Sequence, residues 1–377
     1  MSTVDLKYKK DAARKNRGNQ FSINSFIRPC KSFTIFIMSA NLKDQASWEA
    51  SPLAFLSRQF IQNVPKIPST VDLTGQTALI TGSNVGLGFE CARQLLALNL
   101  SHLIVAVRSQ ARGDAAAKKL QDEFPRAKIE VSLVDMASYK SIQEFAKRCE
   151  SLPRLDIAIL NAGLSRPRFE RSEETKHEMT FQINYLSTAL LALLLIPILK
   201  EKRGSSSPGR LALVGSDMSY WAKWQETEKS VFSVLDDASK FGSTSAYQLS
   251  KLFLLMFVEK LARLVPAEEV IINFPSPGAC RGTQFGAEGR SKFGDIMFKI
   301  ISHIIARPTS TGARQYVDAV TVKGVESHGS FVSEGRVKPL VPMMYEESGK
   351  ALQEAAWTET MNELSFVNPL KLIEGSG

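Results

Sequence analysis

Short apolar runs alternate with amphipathic stretches from Gln76 onward, whereas residues 1 to about 70 show no sustained period. In the first half TALIT, HLIVAV, IEVSLV and DIAIL read as strands. Helices are predicted between them from Gly86, from about Gly113 and over Ser138 to Glu150. The second half continues with a long helix around Met179 to Leu199, a strand RLALVG, a helix from Ala246 to Leu264, a strand VIINF and a short last strand near Ser330 to Val332. Strands that alternate with helices imply right-handed crossovers and a parallel sheet covered on both faces. The pattern therefore predicts an α/β fold with one doubly wound sheet of about seven strands. Upstream, SPLAFLSRQFIQNV has apolar residues at helical spacing, which predicts one short helix before the core. The expected organisation is a basic extension over 1–37, a linker with that helix over 38–71, the α/β domain over 72–366 and a tail over 367–377.

Composition agrees with a packed core: 44% of the 377 residues are hydrophobic and 23% charged. The net charge of +9 is unevenly spread, because residues 1–37 hold eight Lys or Arg against Asp5 and Asp11 and so carry +6, leaving +3 for the rest. Without interleaved aromatics this gives no nucleic-acid footprint, and no nucleic-acid partner is expected. A chain begun at Met38 is expected to be soluble and fully active, with the upstream stretch either a dispensable extension or a mitochondrial presequence; otherwise a cytoplasmic location is expected. Cys30, Cys91, Cys149 and Cys280 are too far apart for a zinc knuckle, and His102, His177, His303 and His328 lack ligand spacing. No metal site is expected, and a reducing compartment is the simplest setting. The apolar run Leu186 to Leu199 is interrupted by Ser187, Thr188 and Pro197 and is short for a bilayer, so it reads as a buried helix and no transmembrane segment is expected.

Chemistry enters with Thr81-Gly82-Ser83-Asn84-Val85-Gly86-Leu87-Gly88, between a predicted strand and a predicted helix. Glycines let backbone turn sharply and approach a pyrophosphate, and free amides at a helix start favour its charge. The plain alternative is a connecting turn. Tyr247 and Lys251 are four apart, so on a helix they share one face. A nearby ammonium favours phenolate and draws the tyrosine from about 10 toward working pH. The alternative is an ordinary surface pair. Ser216 closes the strand RLALVG, where its hydroxyl either meets a substrate oxygen or caps a turn. No His and Asp stand in order to make it a nucleophile.

The 82/86/88 glycine spacing, TGxxxGxG, resembles that of the short-chain dehydrogenase/reductase family, and further landmarks follow in order. Asp135 ends the third strand, Asn161-Ala162-Gly163 follows the fourth, and Asn184, Ser216, Tyr247 and Lys251 match the family's catalytic Asn, Ser and YxxxK. Pro277-Gly278 matches its turn after the sixth strand. The resemblance covers roughly Asp72 to Trp357 and implies a Rossmann-type fold. It further implies dinucleotide contacts at Gly82, Ser83, Asn84, Gly86, Leu87, Gly88, Asp135, Met136, Asn161, Ala162, Gly163, Pro277 and Gly278, and at Tyr247 and Lys251. By the same resemblance Tyr247 donates or accepts the proton, Ser216 holds the substrate oxygen, Asn184 holds a water that relays protons to Lys251, and a homodimer forms through the helices at Met179 to Leu199 and Ala246 to Leu264.

Cofactor choice is read at the end of HLIVAVRSQAR, where Arg108 occupies the place of the acid that binds a ribose 2′-hydroxyl in NAD enzymes. A guanidinium accommodates a 2′-phosphate, which favours NADP(H); the alternative is a solvated arginine. Two features depart from the family pattern. Ser216 and Tyr247 are 31 residues apart, with an aromatic-rich insert resembling retinol-dehydrogenase-like and protochlorophyllide-reductase-like branches, and its aromatics are expected to shape the substrate pocket. Thr283 is the residue that the resemblance implies for contact with the nicotinamide carboxamide, although it lies one residue beyond the family's usual threonine. The segment GDIMFKIISHII at 294–305 reads as a greasy cover for a bulky apolar substrate or equally as core or dimer packing. The C-terminal part is similar to reductases of fungal natural-product pathways, which points to secondary metabolism. Three functions compete: a carbonyl reductase or alcohol dehydrogenase, an inactive dinucleotide-binding regulator, and an epimerase or dehydratase of the extended branch. Retention of Asn184, Ser216, Tyr247 and Lys251 favours the first, and the glycine spacing disfavours the third.

Overall fold

The computed structural model describes residues 37–204, 207–225, 230–281 and 306–374. Thr77–Thr81 (β1) is apolar or hydroxylic at every position and wholly buried, as a strand covered on both faces must be. Ala78 and Ile80 face one core layer and Leu79 the other, the two-residue alternation of a strand. Around β1 the other strands are His102–Val107 (β2), Lys128–Leu133 (β3), Ile157–Leu160 (β4), Gly209–Leu213 (β5), Val270–Pro275 (β6), Phe331–Ser333 (β7) and Arg336–Lys338 (β8). They form one sheet in the order β3-β2-β1-β4-β5-β6-β7-β8. All neighbours are parallel except β7 and β8, which pair as a hairpin. The sheet is thus Rossmann-type with one strand more than expected; β8 holds only three residues, too few to stand out as a period.

Before β1 come Lys43–Glu49 (α1) and Pro52–Phe60 (α2). One face of the sheet is covered by Gly86–Ala97 (α3), Gln110–Glu123 (α4) and Thr309–Thr321 (α9). The other is covered by Tyr139–Glu150 (α5), Met179–Lys202 (α6) and Ser243–Ala262 (α8). Val231–Leu235 (α7) lies in the insert before α8. Glu347–Glu363 (α10) and Pro369–Glu374 (α11) close the chain. Helix α6 is 24 residues long and apolar enough to cross a membrane by length and composition, yet 89% of its most apolar 18-residue stretch is buried inside the fold. Its apolar residues point all round because sheet and helices enclose it.

Three expectations need correction. Helix α4 begins at Gln110, capped by Ser109, not near Gly113. Gly113 is a point of close approach instead: a Cβ there would fall 2.6 Å from Val131 and 2.8 Å from Val107. Among the described residues the fold already includes Ile37, well before Gln76. Ile37 is buried, and the stretch expected to be a linker with one short helix holds that helix as α2 and a further one, α1, with Ser39, Glu49 and Arg58 buried. Their partners lie far along the chain, so no local pattern reveals them. Lastly, residues 367–374 are no loose tail: α11 buries Ile373, whose carbonyl accepts from Lys200 at 2.8 Å.

Candidate functional site

The carboxyl ends of β1, β4, β5 and β6 bring the sequence landmarks together. Gly82 leaves β1 with φ +66° and Gly86 opens α3 with φ +61°, both in the left-handed region. A Cβ on Gly88 would lie 2.6 Å from the Gly82 carbonyl oxygen and 2.6 Å from Asn161 Nδ2. Only glycine lets the helix begin so near the turn. Asn161 Nδ2 donates to the Thr81 carbonyl at 2.9 Å, and the Ala162 amide donates to Thr81 Oγ1 at 2.9 Å, so the loop after β4 is fastened to the glycine turn. Ser83 is buried and donates to the Ile80 carbonyl at 2.8 Å. Val85 offers α3 no side-chain cap, which leaves first-turn amides for an anion beside Leu87 and Gly88.

Beyond β2, Arg108, Ser109 and Arg112 join Asn84 in lining a cleft of about 330 Å³. Two guanidiniums and two small polar side chains in one recess suit a phosphate group. The pattern of the sequence does not single out Arg112. The signal was present: Ser109 as helix cap puts Arg112 in the first turn, with its amide donating to Ser109 Oγ at 3.5 Å. Near the end of β3, Asp135 Oδ1 accepts from the Ala137 amide at 2.9 Å, and the buried Met136 carbonyl accepts from Ser187 Oγ at 2.5 Å.

The second group of landmarks converges from three elements. Asn184 lies within Gln182–Ser187, a π-helical stretch inside α6. Such one-turn insertions concentrate at functional sites because they redirect a helix face. Its carboxamide does not serve helix carbonyls: Oδ1 accepts from the Leu164 amide at 2.8 Å, and Nδ2 donates to the Leu164 carbonyl at 2.8 Å and to Ser250 Oγ at 3.1 Å. A Cβ on Gly163 would sit 3.0 Å from Asn184 Oδ1 and 3.8 Å from Lys251 Nζ. Lys251 is 5% exposed, donates to the Val214 carbonyl at 2.8 Å and lies 5.9 Å from the centre of the Tyr247 ring. Ser216 follows Val214 by two residues, caps the turn Asp217–Trp221 and hydrogen-bonds Tyr247.

Electrostatics differ from expectation at this pair. Burial pushes the Tyr247 hydroxyl up to about 12; the Ser216 hydrogen bond pulls it down, and Asp217 pushes it up again. Burial likewise brings the Lys251 ammonium down to about 8. Lys251 spends its hydrogen bond on Val214, so withdrawal from water outweighs the attraction expected to favour phenolate.

The insert's aromatics largely fill core rather than a pocket. Tyr220 packs on Phe331, Trp221 on Phe55, Trp224 on Phe253, and Phe232 on Phe181 and His177. Phe241 is different: it meets Phe169 edge-on at 5.7 Å, on the two segments whose Ser165 and Ser243 hydroxyls approach to 3.4 Å. Pro277-Gly278 lies after β6, next to Gln59 and Arg307. Thr283 and the segment 294–305 lie outside the described residues, as do residues 1–36.

Residues 76–224 match the short chain dehydrogenase family. The chain is 46% identical over 342 residues to the short chain dehydrogenase virL of Hypocrea virens, across 89% of this chain and 98% of that one. It is 48% identical over 313 residues to the short chain dehydrogenase opdN of Penicillium oxalicum, across 80% and 100%. Its fold is similar to that of the NADPH-dependent 3-quinuclidinone reductase of Rhodotorula rubra, with a TM-score of 0.53 at 19% identity over 73% of this chain and 98% of that one. The RhlG/NADP active-site complex of Pseudomonas aeruginosa is similar in the same way, with a TM-score of 0.53 at 20% identity over 71% and 97%. Relatives of such identity over nearly their whole length, on a sheet that gathers the ordered landmarks at one end, show that the chain belongs to the short-chain dehydrogenase family and is an oxidoreductase.

Proposed function

We propose that this chain interconverts a ketone or aldehyde and an alcohol on a bulky apolar small molecule, with NADP(H) as cofactor, in the secondary metabolism of a fungus. The observation that carries the reading is the chain of contacts by which Asn184 and Lys251 meet at Gly163, Lys251 stands 5.9 Å from the Tyr247 ring and Tyr247 hydrogen-bonds Ser216. The dinucleotide supplies or takes up the hydride when bound. Residues fit it along their whole path: the glycine turn and uncapped α3 would take the pyrophosphate, and Arg108 and Arg112, with Ser109 and Asn84, the 2′-phosphate. Asp135 would meet the adenine, and Lys251 the nicotinamide ribose. The two solved structures of similar fold whose names include NADP and NADPH lend the phosphate reading support.

Ser216 holds the substrate oxygen against the Tyr247 hydroxyl. In the reducing direction Tyr247 gives its proton to that oxygen, and a hydroxyl held near 12 is protonated and ready to do so. Lys251, held near 8 and set behind the tyrosine, supports reprotonation from the Asn184 side. Phe169 and Phe241, on the segments whose Ser165 and Ser243 hydroxyls approach each other, would offer the substrate an apolar contact. NADPH absorbance followed against a panel of cyclic and polycyclic ketones tests the reading. Turnover with at least one ketone, with NADPH preferred over NADH, is the expected result; NADPH binding without turnover of any carbonyl would point to the regulatory protein instead.

A further inference from the structure

Helices α1 and α2 lie against the loops that leave β5 and β6, and one buried side chain joins them to the site. Arg58 on α2 is 1% exposed. Its Nε donates to Asp217 Oδ2 at 3.1 Å, and its Nη1 donates to the Glu49 carbonyl at 2.9 Å and to the Glu49 carboxylate. The guanidinium also stands 5.7 Å from the centre of the Tyr220 ring. Asp217 directly follows Ser216 and opens the turn that Ser216 caps, in which Ser216 Oγ accepts from the Met218 amide at 3.2 Å. The second Asp217 oxygen accepts from Ser276 Oγ at 2.7 Å, and Ser276 Oγ accepts from the Gly278 amide at 3.3 Å. One arginine thus holds, through one carboxylate, both Ser216 and the turn after β6. Neighbouring contacts grip the same two loops: Trp221 Nε1 donates to the Ala50 carbonyl at 2.9 Å, and Gln59 Nε2 to the Ala279 carbonyl at 3.1 Å.

The buried cluster around Arg58 is balanced. Its cations are Arg58, Arg307 and Lys338, and its anions Glu49, Asp217 and Glu334. Loss of Arg58 alone would leave one negative charge in excess beside Tyr247. Among the described residues, Tyr220 of the same turn, Tyr345 beyond β8, Cys280 after β6, Tyr316 of α9 and Lys251 of α8 are the other titratable groups around the pair.

We propose that Arg58 is a positioning residue of the reaction, acting through Asp217 to fix the Ser216 hydroxyl and to neutralise the carboxylate that faces Tyr247. This rests on the roles given above to Ser216 and Tyr247. Tyrosine-ring ¹³C NMR titration of the full chain, with the Tyr247 resonance assigned from Tyr247→Phe, reads the charge balance without any substrate. Asp217→Asn keeps the side-chain shape, leaves the cluster with one positive charge in excess and is expected to lower the Tyr247 midpoint by about one pH unit. Asp217→Asn combined with Arg58→Met is expected to return it to the wild-type value. A folded Asp217→Asn protein with an unmoved midpoint overturns the proposal.

Kinetics supply the second arm, on whichever panel ketone the wild type turns over. Arg58→Met is expected to lower kcat about tenfold or more with the NADPH KM nearly unchanged, since a displacement of even about 1 Å at a reacting group is that expensive. Arg58→Lys should recover much of the loss. A merely structural arginine would lower the melting temperature while leaving kcat and its pH profile in the folded fraction unchanged, and that result also overturns the proposal. If Arg58→Met does not fold, the Asp217→Asn titration still decides. If no ketone is turned over, the functional reading fails while the titration still tests the charge balance.

Discussion

At the scale of single residues, Tyr247 and the two arginines of the cleft carry the sharpest tests. Tyr247→Phe removes the proton donor and little volume, so kcat is expected to fall by about 10²- to 10⁴-fold while NADPH affinity stays within a few-fold. Retention of most of kcat would remove Tyr247 from the chemistry. Arg108→Asp replaces an attraction for a 2′-phosphate by repulsion, and the ratio of kcat/KM for NADPH over NADH is expected to drop by about one to two decades. Arg112→Ala should move the same ratio in the same direction, because both guanidiniums line the same cleft. An unchanged ratio in both variants would put phosphate recognition elsewhere. Most of these positions were legible because their signals are local: glycines in a turn, a tyrosine and lysine one helical turn apart, a serine at a strand end. Arg112 escaped only because the start of α4 was misplaced by three residues. The Arg58–Asp217 pair was not legible at all, since its partners are 159 residues apart and each alone reads as a solvated charge.

At the scale of elements, strands buried on both faces announced themselves as apolar runs, as in β1, β2, β4 and β6, whereas β3, KIEVSL, is half-exposed and shows through alternation instead. Helix α2 falls inside the predicted SPLAFLSRQFIQNV, whereas α1 and α11, short helices held by distant contacts, owe their existence to packing more than to a pattern of their own. The insert before α8 follows the same rule, because a histidine fastens it. His177 Nδ1 lies 2.6 Å from Asp236, which ends α7, and Nε2 lies 3.4 Å from Glu363, which ends α10. Burial alone would lower the imidazole, but the hydrogen bonds to Asp236 and then Glu363 outweigh it and carry it up to about 9. A folded value above the unfolded one of about 6.5 means that the stabilisation is complete below about pH 6.5 and is lost as pH rises through about 9. Lys251, lowered to about 8, acts with the opposite sign, so the comparison must be with a variant. Wild type is expected to lose a few more degrees of melting temperature than His177→Gln between pH 6.5 and 9.5. Parallel curves for the two proteins would show that the clamp contributes nothing.

At the scale of the whole molecule, the question is what covers α6 and α8, the helices on which the family resemblance places a dimer seam. Residues Ser250–Glu259 of α8 are buried without a break, as are Thr180–Leu193 of α6. The cover comes from the same chain. Trp357 of α10 stacks on Phe257 at 5.5 Å, Gln353 Nε2 donates to the Met256 carbonyl at 2.7 Å and to Glu259 at 2.8 Å, and Lys260 pairs with Glu354. On α6 the same service is done by α11, through Lys200 and the Ile373 carbonyl. A face already buried offers a second copy no apolar area to remove from water, and that area is what drives stable association. Light scattering on the purified chain is therefore expected to give the single-chain mass of 41.6 kDa at micromolar concentration. Trp357→Ala should destabilise the fold by about 2 to 4 kcal/mol through the lost packing on Phe257, and removal of residues 346–377 should expose α8 and produce dimers or aggregates. A stable dimer of the intact chain, disrupted by charge substitutions on α6 or α8, would mean that α10 and α11 swing away in solution and that the seam is open after all.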